Sequence, residues 1–209
     1  MIEVHPFKRR VSELILYIMS LLTQTLERIL MWLQANCPSV ASFPYPGLTN
    51  EQIQELTKDL PFKLSREVKE LYQWRNGTLH GQGFFPFSVF YSLEESLDFY
   101  YKTVKYEPDD TLLMAPRNSL ILFSTDKSFF FVVADKENNN TSQVWVVYTG
   151  DHPVICYTSL TNLILMIADC YESGAYYVGS SGFLEEDRSK SDVFFCKYHS
   201  EIKNIPDFN

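Results

Sequence analysis

The chain has 209 residues, and its 18 Lys and Arg against 26 Asp and Glu give a formal net charge of −8. A hydrophobic fraction of 45% and an aromatic fraction of 15% supply enough apolar side chain for a core, which excludes a wholly disordered chain. The length fits one domain, or one domain with an appendage. Because the only basic run is Lys8-Arg9-Arg10, the charge argues against a protein that grips a nucleic-acid backbone.

The four cysteines, at positions 37, 156, 170 and 196, include no C-x-x-C pair. A chain of this length does not need disulfides, so we expect free thiols, a reducing compartment and a cytoplasmic protein. The apolar run at residues 14–22 has roughly the length of a signal-peptide core. However, Glu13 stands at its entrance and no A-x-A-like cleavage site follows. The run is also shorter than the roughly 20 apolar residues that a membrane-spanning helix needs.

The first predicted element is a long amphipathic helix over residues 10–35. Its apolar residues recur at spacings of three and four and form one stripe: Val11, Leu14, Ile15, Ile18, Leu22, Leu26, Ile29, Leu30 and Leu33. Such a stripe must pack on the rest of the chain or on a second subunit. Glu3, Glu13 and Glu27 dilute the basic charge that a membrane-surface role requires. We assign residues 1–36 to this helical unit and residues 37–47, which are rich in proline, to a linker.

Capping motifs predict where the next helices begin. Thr49-Asn50-Glu51-Gln52 and Ser92-Leu93-Glu94-Glu95 both match the capping box, and Ser65 can cap a helix between them. Asn76-Gly77 can adopt the left-handed conformation that ends the helix after Ser65. Periodic apolar residues predict a last helix over residues 160–171.

Between these helices, segments rich in β-branched and aromatic residues predict antiparallel strands at residues 120–125, 128–134 and 143–149. Residues 84–90 are predicted as an edge strand, because a proline is tolerated there. The fold class is therefore α+β: an antiparallel β-sheet flanked by helices, with an added long N-terminal amphipathic helix. We assign residues 48–178 to this domain. Residues 179–209 form a charged C-terminal extension whose apolar end can pack on the domain.

The order of these motifs resembles the SUKH superfamily, which includes fungal cell-wall-assembly regulators and bacterial immunity proteins. The resemblance covers about residues 48–171 and rests on residues 47–53, 64–77, 91–96 and 159–163. Leu64-Ser65 stands where the family commonly has Leu-Pro, and residues 115–118 replace an acidic, glycine-bearing turn. The resemblance implies a sheet flanked by helices that binds a protein partner, in bacteria often a toxin. It implies neither a cofactor nor a reaction.

If the chain binds a protein, the aromatic loop after Gly77 is the candidate partner-binding site. We select Trp74, His80, Phe84 and Phe85, because rigid aromatic residues are favoured anchors of protein interfaces. Most aromatic residues of this region must be core, and for Trp74, which lies off the apolar stripe of its helix, both interpretations are open. An acidic surface suits a basic partner, such as a nuclease toxin. The leading hypothesis is a non-enzymatic module that occludes such a partner.

Two alternatives differ in class from this hypothesis. Asp151-His152 and Cys156 have the residue types of a thiol hydrolase, although four residues of extended chain separate His152 and Cys156 by about 13 Å. Cys196 and His199 have C-x-x-H spacing, but a closed zinc site needs about four ligands, so no metal is predicted. The other alternative is a structural regulator that dimerises through the N-terminal helix.

Overall fold

The computed structural model describes residues 19–79, 83–86, 88–105, 115–135, 137, 139–148 and 151–199. The seven helices of this part are α1 Leu21–Asn36, α2 Pro38–Ala41, α3 Asn50–Leu56, α4 Arg66–Trp74, α5 Leu93–Phe99, α6 Leu160–Glu172 and α7 Arg188–His199. A π-helical segment, Tyr100–Lys105, continues α5. The strands are β1 Pro44–Pro46, β2 Arg75–Thr78, β3 Val89–Phe90, β4 Ser119–Ser124, β5 Ser128–Val133, β6 Gln143–Tyr148, β7 Val154–Tyr157, β8 Tyr176–Val178 and β9 Leu184–Glu186.

Five strands form one antiparallel sheet in the order β3-β4-β5-β6-β7. Strands β4, β5 and β6 agree with the predicted strands to within one residue at each end. Two smaller pairs, β1 with β2 and β8 with β9, lie outside this sheet. The predicted α+β class, an antiparallel sheet flanked by helices, is confirmed.

The predicted caps set the helix starts. Thr49 forms a capping box with Gln52, and Ser92 forms one with Glu95. The Ser65 hydroxyl accepts a hydrogen bond from the Val68 backbone N–H at 3.4 Å. Gly77 has the predicted positive φ, 79°, but α4 already ends at Trp74 and Gly77 lies in β2. A β-carbon at position 77 would meet the Ser92 backbone nitrogen at 2.4 Å, so glycine is needed there for both conformation and space.

Helix α1 begins later than the apolar pattern predicts. Ser20 has an extended backbone with ψ of 159°, and its hydroxyl accepts from the Thr23 backbone N–H, so the helix starts at Leu21. The earlier part of the predicted helix, residues 10–18, lies outside the described residues. The apolar stripe within α1 is buried against α4 and α6: Leu22, Leu26, Ile29, Leu30 and Leu33. This part of the stripe therefore packs on its own chain.

The sheet carries apolar side chains on both faces. The main core joins the sheet to helices α1, α4 and α6. On the other face, Ile121, Phe131 and Val147 are buried with Phe99 of α5 packed against them. In the part of the chain described here, no helix is long and apolar enough to cross a membrane.

The C-terminal extension packs on the domain through a hairpin and α7. Strands β8 and β9 form the hairpin, and the Asp187 backbone N–H donates to the Ala175 carbonyl at 2.8 Å. Helix α7 lies against α6 and β7. Its Tyr198 hydroxyl donates to Asp169 of α6 at 2.9 Å.

Candidate functional site

Phe84 lies at the centre of an aromatic cluster. Its ring makes edge-on contacts, with ring centres 5.5 to 5.8 Å apart, with Phe85, Trp74, Phe90 and Phe123. The Phe84 carbonyl accepts a hydrogen bond from the Tyr171 hydroxyl at 2.6 Å, and its side chain is fully buried. Edge-on aromatic pairs add to the stability that their burial provides.

A bulge in β4 completes this cluster. Ile121 pairs with Phe131 and Phe123 pairs with Phe130, so Leu122 is the extra residue. Leu122 and Phe123 consequently both join the main core, although consecutive strand residues normally face opposite ways. The bulge thereby places Phe123 against Phe85 at 5.4 Å.

Trp74 is buried because it faces α1. Its indole Nε1 donates to the Glu27 carboxylate at 3.0 Å, and the Arg75 guanidinium lies over its ring at 5.2 Å. Trp74 and Phe84 therefore belong to the core, which is the first of the two interpretations that the sequence left open. Their predicted roles in partner binding stay predictions, and His80 lies outside the described residues.

Phe85 is also buried in the aromatic cluster, at 7% exposure, and it lines a groove of about 790 Å³. The opposite wall of this groove comes from the C-terminal hairpin. The apolar residues that line the groove as a whole are Val40, Phe85, Pro86, Val89, Phe183 and Leu184. A second cavity of about 670 Å³ shares Phe85, Pro86, Thr125, Asp126 and Glu186 with the first and extends towards β6, β7 and α7. We call the first cavity the hairpin groove.

Glycines shape both walls of the hairpin groove. A β-carbon at Gly83 would lie 2.1 Å from the Ser88 hydroxyl oxygen, so the loop closes tightly there. On the opposite wall, a β-carbon at Gly179 would lie 1.9 Å from the Glu185 carboxylate. Gly182 has a φ of 81° at the hairpin tip, next to Phe183, whose exposure is 68%. The tip therefore presents a large apolar side chain to solvent.

Among the described residues that line the hairpin groove, the charged ones are acidic: Asp126, Glu185 and Glu186. The Tyr177 hydroxyl donates to Glu185 at 3.1 Å, and the Ser191 hydroxyl donates to Glu186 at 2.5 Å. None of the three carboxylates forms an ion pair with a described residue. The groove therefore combines apolar walls with three carboxylates that form no ion pair with a described residue.

The β8–β9 hairpin, which forms the second wall of the groove, was not predicted from the sequence. A signal for it exists, because Gly179-Ser180-Ser181-Gly182 separates two runs of aromatic and apolar residues, which is typical of a β-hairpin. The high charge of the surrounding segment obscured this signal.

The groups considered for thiol chemistry differ in their burial. Cys156 is 4% exposed, and burial raises the pKa of its thiol to about 11, so the thiol is protonated at neutral pH. His152 is exposed. His199 contacts the Cys156 carbonyl at 3.3 Å and stacks on Phe195, while Cys196 is exposed. Among the described residues, no group of His, Cys, Asp and Glu side chains is arranged to hold a metal ion.

Glu67 is a buried carboxylate whose role sequence reasoning did not find. It accepts backbone N–H bonds from Ser142 at 3.0 Å and from Leu160 and Thr161 at 3.1 Å, and the Thr161 hydroxyl donates to it at 2.5 Å. Glu67 thus joins the first turn of α4 to the first turn of α6 and to the start of β6. Its place in the motif at residues 64–77 gave no indication of these contacts.

Comparison with protein families matches residues 47–169 to the SMI1 / KNR4 family (SUKH-1). No curated protein matches the chain. The family match begins just before the capped helix α3 and ends within α6, and it includes the aromatic cluster and the bulged strand. Since it spans more than half of the chain, this protein belongs to the SMI1 / KNR4 family (SUKH-1).

Proposed function

We propose that this protein is a non-enzymatic binding module of the immunity or scaffolding type, which covers a working surface of a protein partner. The observation that carries the proposal is the hairpin groove, where Phe85 and an exposed Phe183 stand beside three acidic residues. An exposed aromatic side chain at the edge of an apolar groove is typical of protein interfaces. A cytoplasmic location and a basic toxin as the partner belong to the same proposal.

The family supports a protein partner in a general sense. The state of Cys156 also favours binding over thiol hydrolysis. A nucleophilic cysteine needs its pKa lowered by a neighbouring cation or helix N-terminus, whereas burial raises the pKa of Cys156. The module as proposed needs no cofactor and no metal.

Site-specific photocrosslinking in the native cells tests the proposal. With p-benzoylphenylalanine in place of Phe183, we expect one polypeptide to crosslink. With the same group in place of Met31, on α1, we expect no adduct. The two side chains are 68% and 66% exposed, so the comparison is matched for accessibility.

Affinity measurements on the captured partner complete this test. We expect Phe183→Ser to weaken the Kd about ten-fold or more, as loss of an interface anchor does, and Met31→Ser to leave it unchanged. The partner should also lose its own activity at one equivalent of bound protein. Crosslinking at neither position, or equally at both, would contradict the proposal.

A further inference from the structure

The hairpin groove has open hydrogen-bonding capacity on its carboxylates. Glu185 accepts from Tyr177 through Oε2 only, and Glu186 accepts from Ser191 through Oε1 only. The second oxygen of each, and the whole Asp126 carboxylate, accept no hydrogen bond from a described residue. A carboxylate can accept about four hydrogen bonds in total, so these groups can still receive the N–H donors of an Arg or Lys.

The positions of Glu185 and Glu186 are fixed before any partner arrives. The Glu185 carboxylate lies over the α-carbon of Gly179, and hydroxyl groups orient both glutamates. Both are half-buried, where screening by salt is weaker than at a fully exposed site. A charged group held in this way loses little conformational entropy when a partner binds.

The apolar part of the groove requires more than a cation. Phe85 and Leu184 line it, and Phe183 stands exposed at its edge. An occupant that neutralised only the carboxylates would leave these surfaces in contact with water. The complementary occupant therefore has apolar side chains beside its positive charge.

We propose that the hairpin groove binds a protein segment that carries Lys or Arg beside aliphatic or aromatic residues. This inference rests on the proposed function and adds the chemistry of the partner. The acidic lining disfavours a nucleic acid or an anionic lipid surface, because both repel carboxylates. It also disfavours a second copy of this chain, because in a two-fold contact both copies would present the same acidic patch to each other.

The test uses the purified full chain and three fluorescein-labelled peptides of equal length. The first alternates Arg with Leu, the second has Glu in place of Arg, and the third has Ser in place of Leu. Fluorescence anisotropy should show that the first peptide binds at least about ten-fold more tightly than the other two. Raising NaCl from about 0.05 M to about 0.5 M should weaken this binding.

Variants that replace a carboxylate by an amide test whether the peptide binds in the hairpin groove. Asp126→Asn combined with Glu185→Gln should weaken binding of the first peptide about ten-fold and reduce its dependence on salt. Asp59→Asn combined with Glu137→Gln removes the same charge from exposed positions outside the groove and should change neither property. Asp126→Asn alone should weaken the binding in part. This exposed residue accepts no hydrogen bond from the described part of the chain, so the single variant remains informative if Glu185→Gln affects folding.

The outcomes separate this inference from the proposed function. Equal binding of the basic and acidic peptides, no binding of the first peptide, or equal effects of the two double variants would overturn the inference. If position 183 still crosslinks to a partner in that case, the binding function stands and only its charge chemistry is wrong. Absence of a partner at position 183 would count against the function itself.

Discussion

A single carboxylate, that of Glu67, connects three parts of the chain that are far apart in sequence. Its acceptor oxygens satisfy two backbone N–H groups in the first turn of α6, which have no partner within that helix. The negative charge also lies where the α6 dipole is positive. A buried carboxylate with this set of donors is stable, whereas the same donors without it would be buried and unsatisfied.

Glu67→Gln should therefore lower the free energy of unfolding by about 2–3 kcal/mol, because one acceptor oxygen becomes an N–H₂ group facing other donors. Urea denaturation followed by circular dichroism measures the change. The matched control is Glu137→Gln, the same substitution at an exposed position, which should stay within about 0.5 kcal/mol of wild type. Similar losses in both variants would show that the Glu67 contacts contribute little.

At the scale of an element, α1 packs on two other helices, α4 and α6. Its buried stripe packs on α4 and α6, and the Glu27 carboxylate on its flank receives the Trp74 indole N–H. Arg28, further along, forms an ion pair with Glu172 of α6 at 2.7 Å. That pair is bidentate but exposed, so the buried stripe supplies most of the attachment.

Leu26→Ala should cost about 2–5 kcal/mol, because it leaves a cavity at a fully buried position. Met31→Ala, on the same helix but 66% exposed, should change stability by less than about 0.5 kcal/mol. The difference in urea midpoint between the two variants measures the contribution of the stripe. Equal midpoints would mean that α1 is not held through this face.

The elements that the sequence predicted are those with local signals. The capping residues Thr49, Ser65 and Ser92 act within one helical turn, and the apolar periods of α1 and α6 repeat within each helix. Strand β7, of four residues, was missed because it is too short for alternation to be recognised. The contacts of Glu67 depend on the fold as a whole, since Glu67 and Thr161 are 94 positions apart. No local pattern reports such a pairing.

At the scale of the whole molecule, the protein buries many phenols and thiols in their neutral form. Burial raises the pKa of the Cys156 thiol to about 11 and that of the Cys170 thiol to about 12, from an ordinary value of 9.0. It also raises the pKa of Tyr72, Tyr157 and Tyr176 above the ordinary value of 10.0. All five groups therefore hold their protons in the folded state at a pH where the unfolded chain releases them.

The contribution of these groups to the free energy of unfolding should therefore be fully present below pH 9.0. It should fall as the pH rises towards the pKa values of the two thiols in the folded state. Each thiol contributes a slope of about 1.4 kcal/mol per pH unit in this window. Urea midpoints between about pH 8 and pH 10.5 measure the decline. Cys156→Val should make it shallower, and Cys196→Val, at an exposed thiol, should not. A flat profile over this range would contradict the prediction.

Helix α6 lies mostly within the region that matches the family, but it packs on α1 and α7, which lie outside that region. The family match stops at residue 169, yet Asp169 receives Lys197 and Tyr198 from α7, and α6 also packs on α1. A graft that moves only residues 47–169 into a relative would leave behind α1 and α7, the two helices that pack on α6. Chimaeras should therefore exchange this block together with α1 and α7.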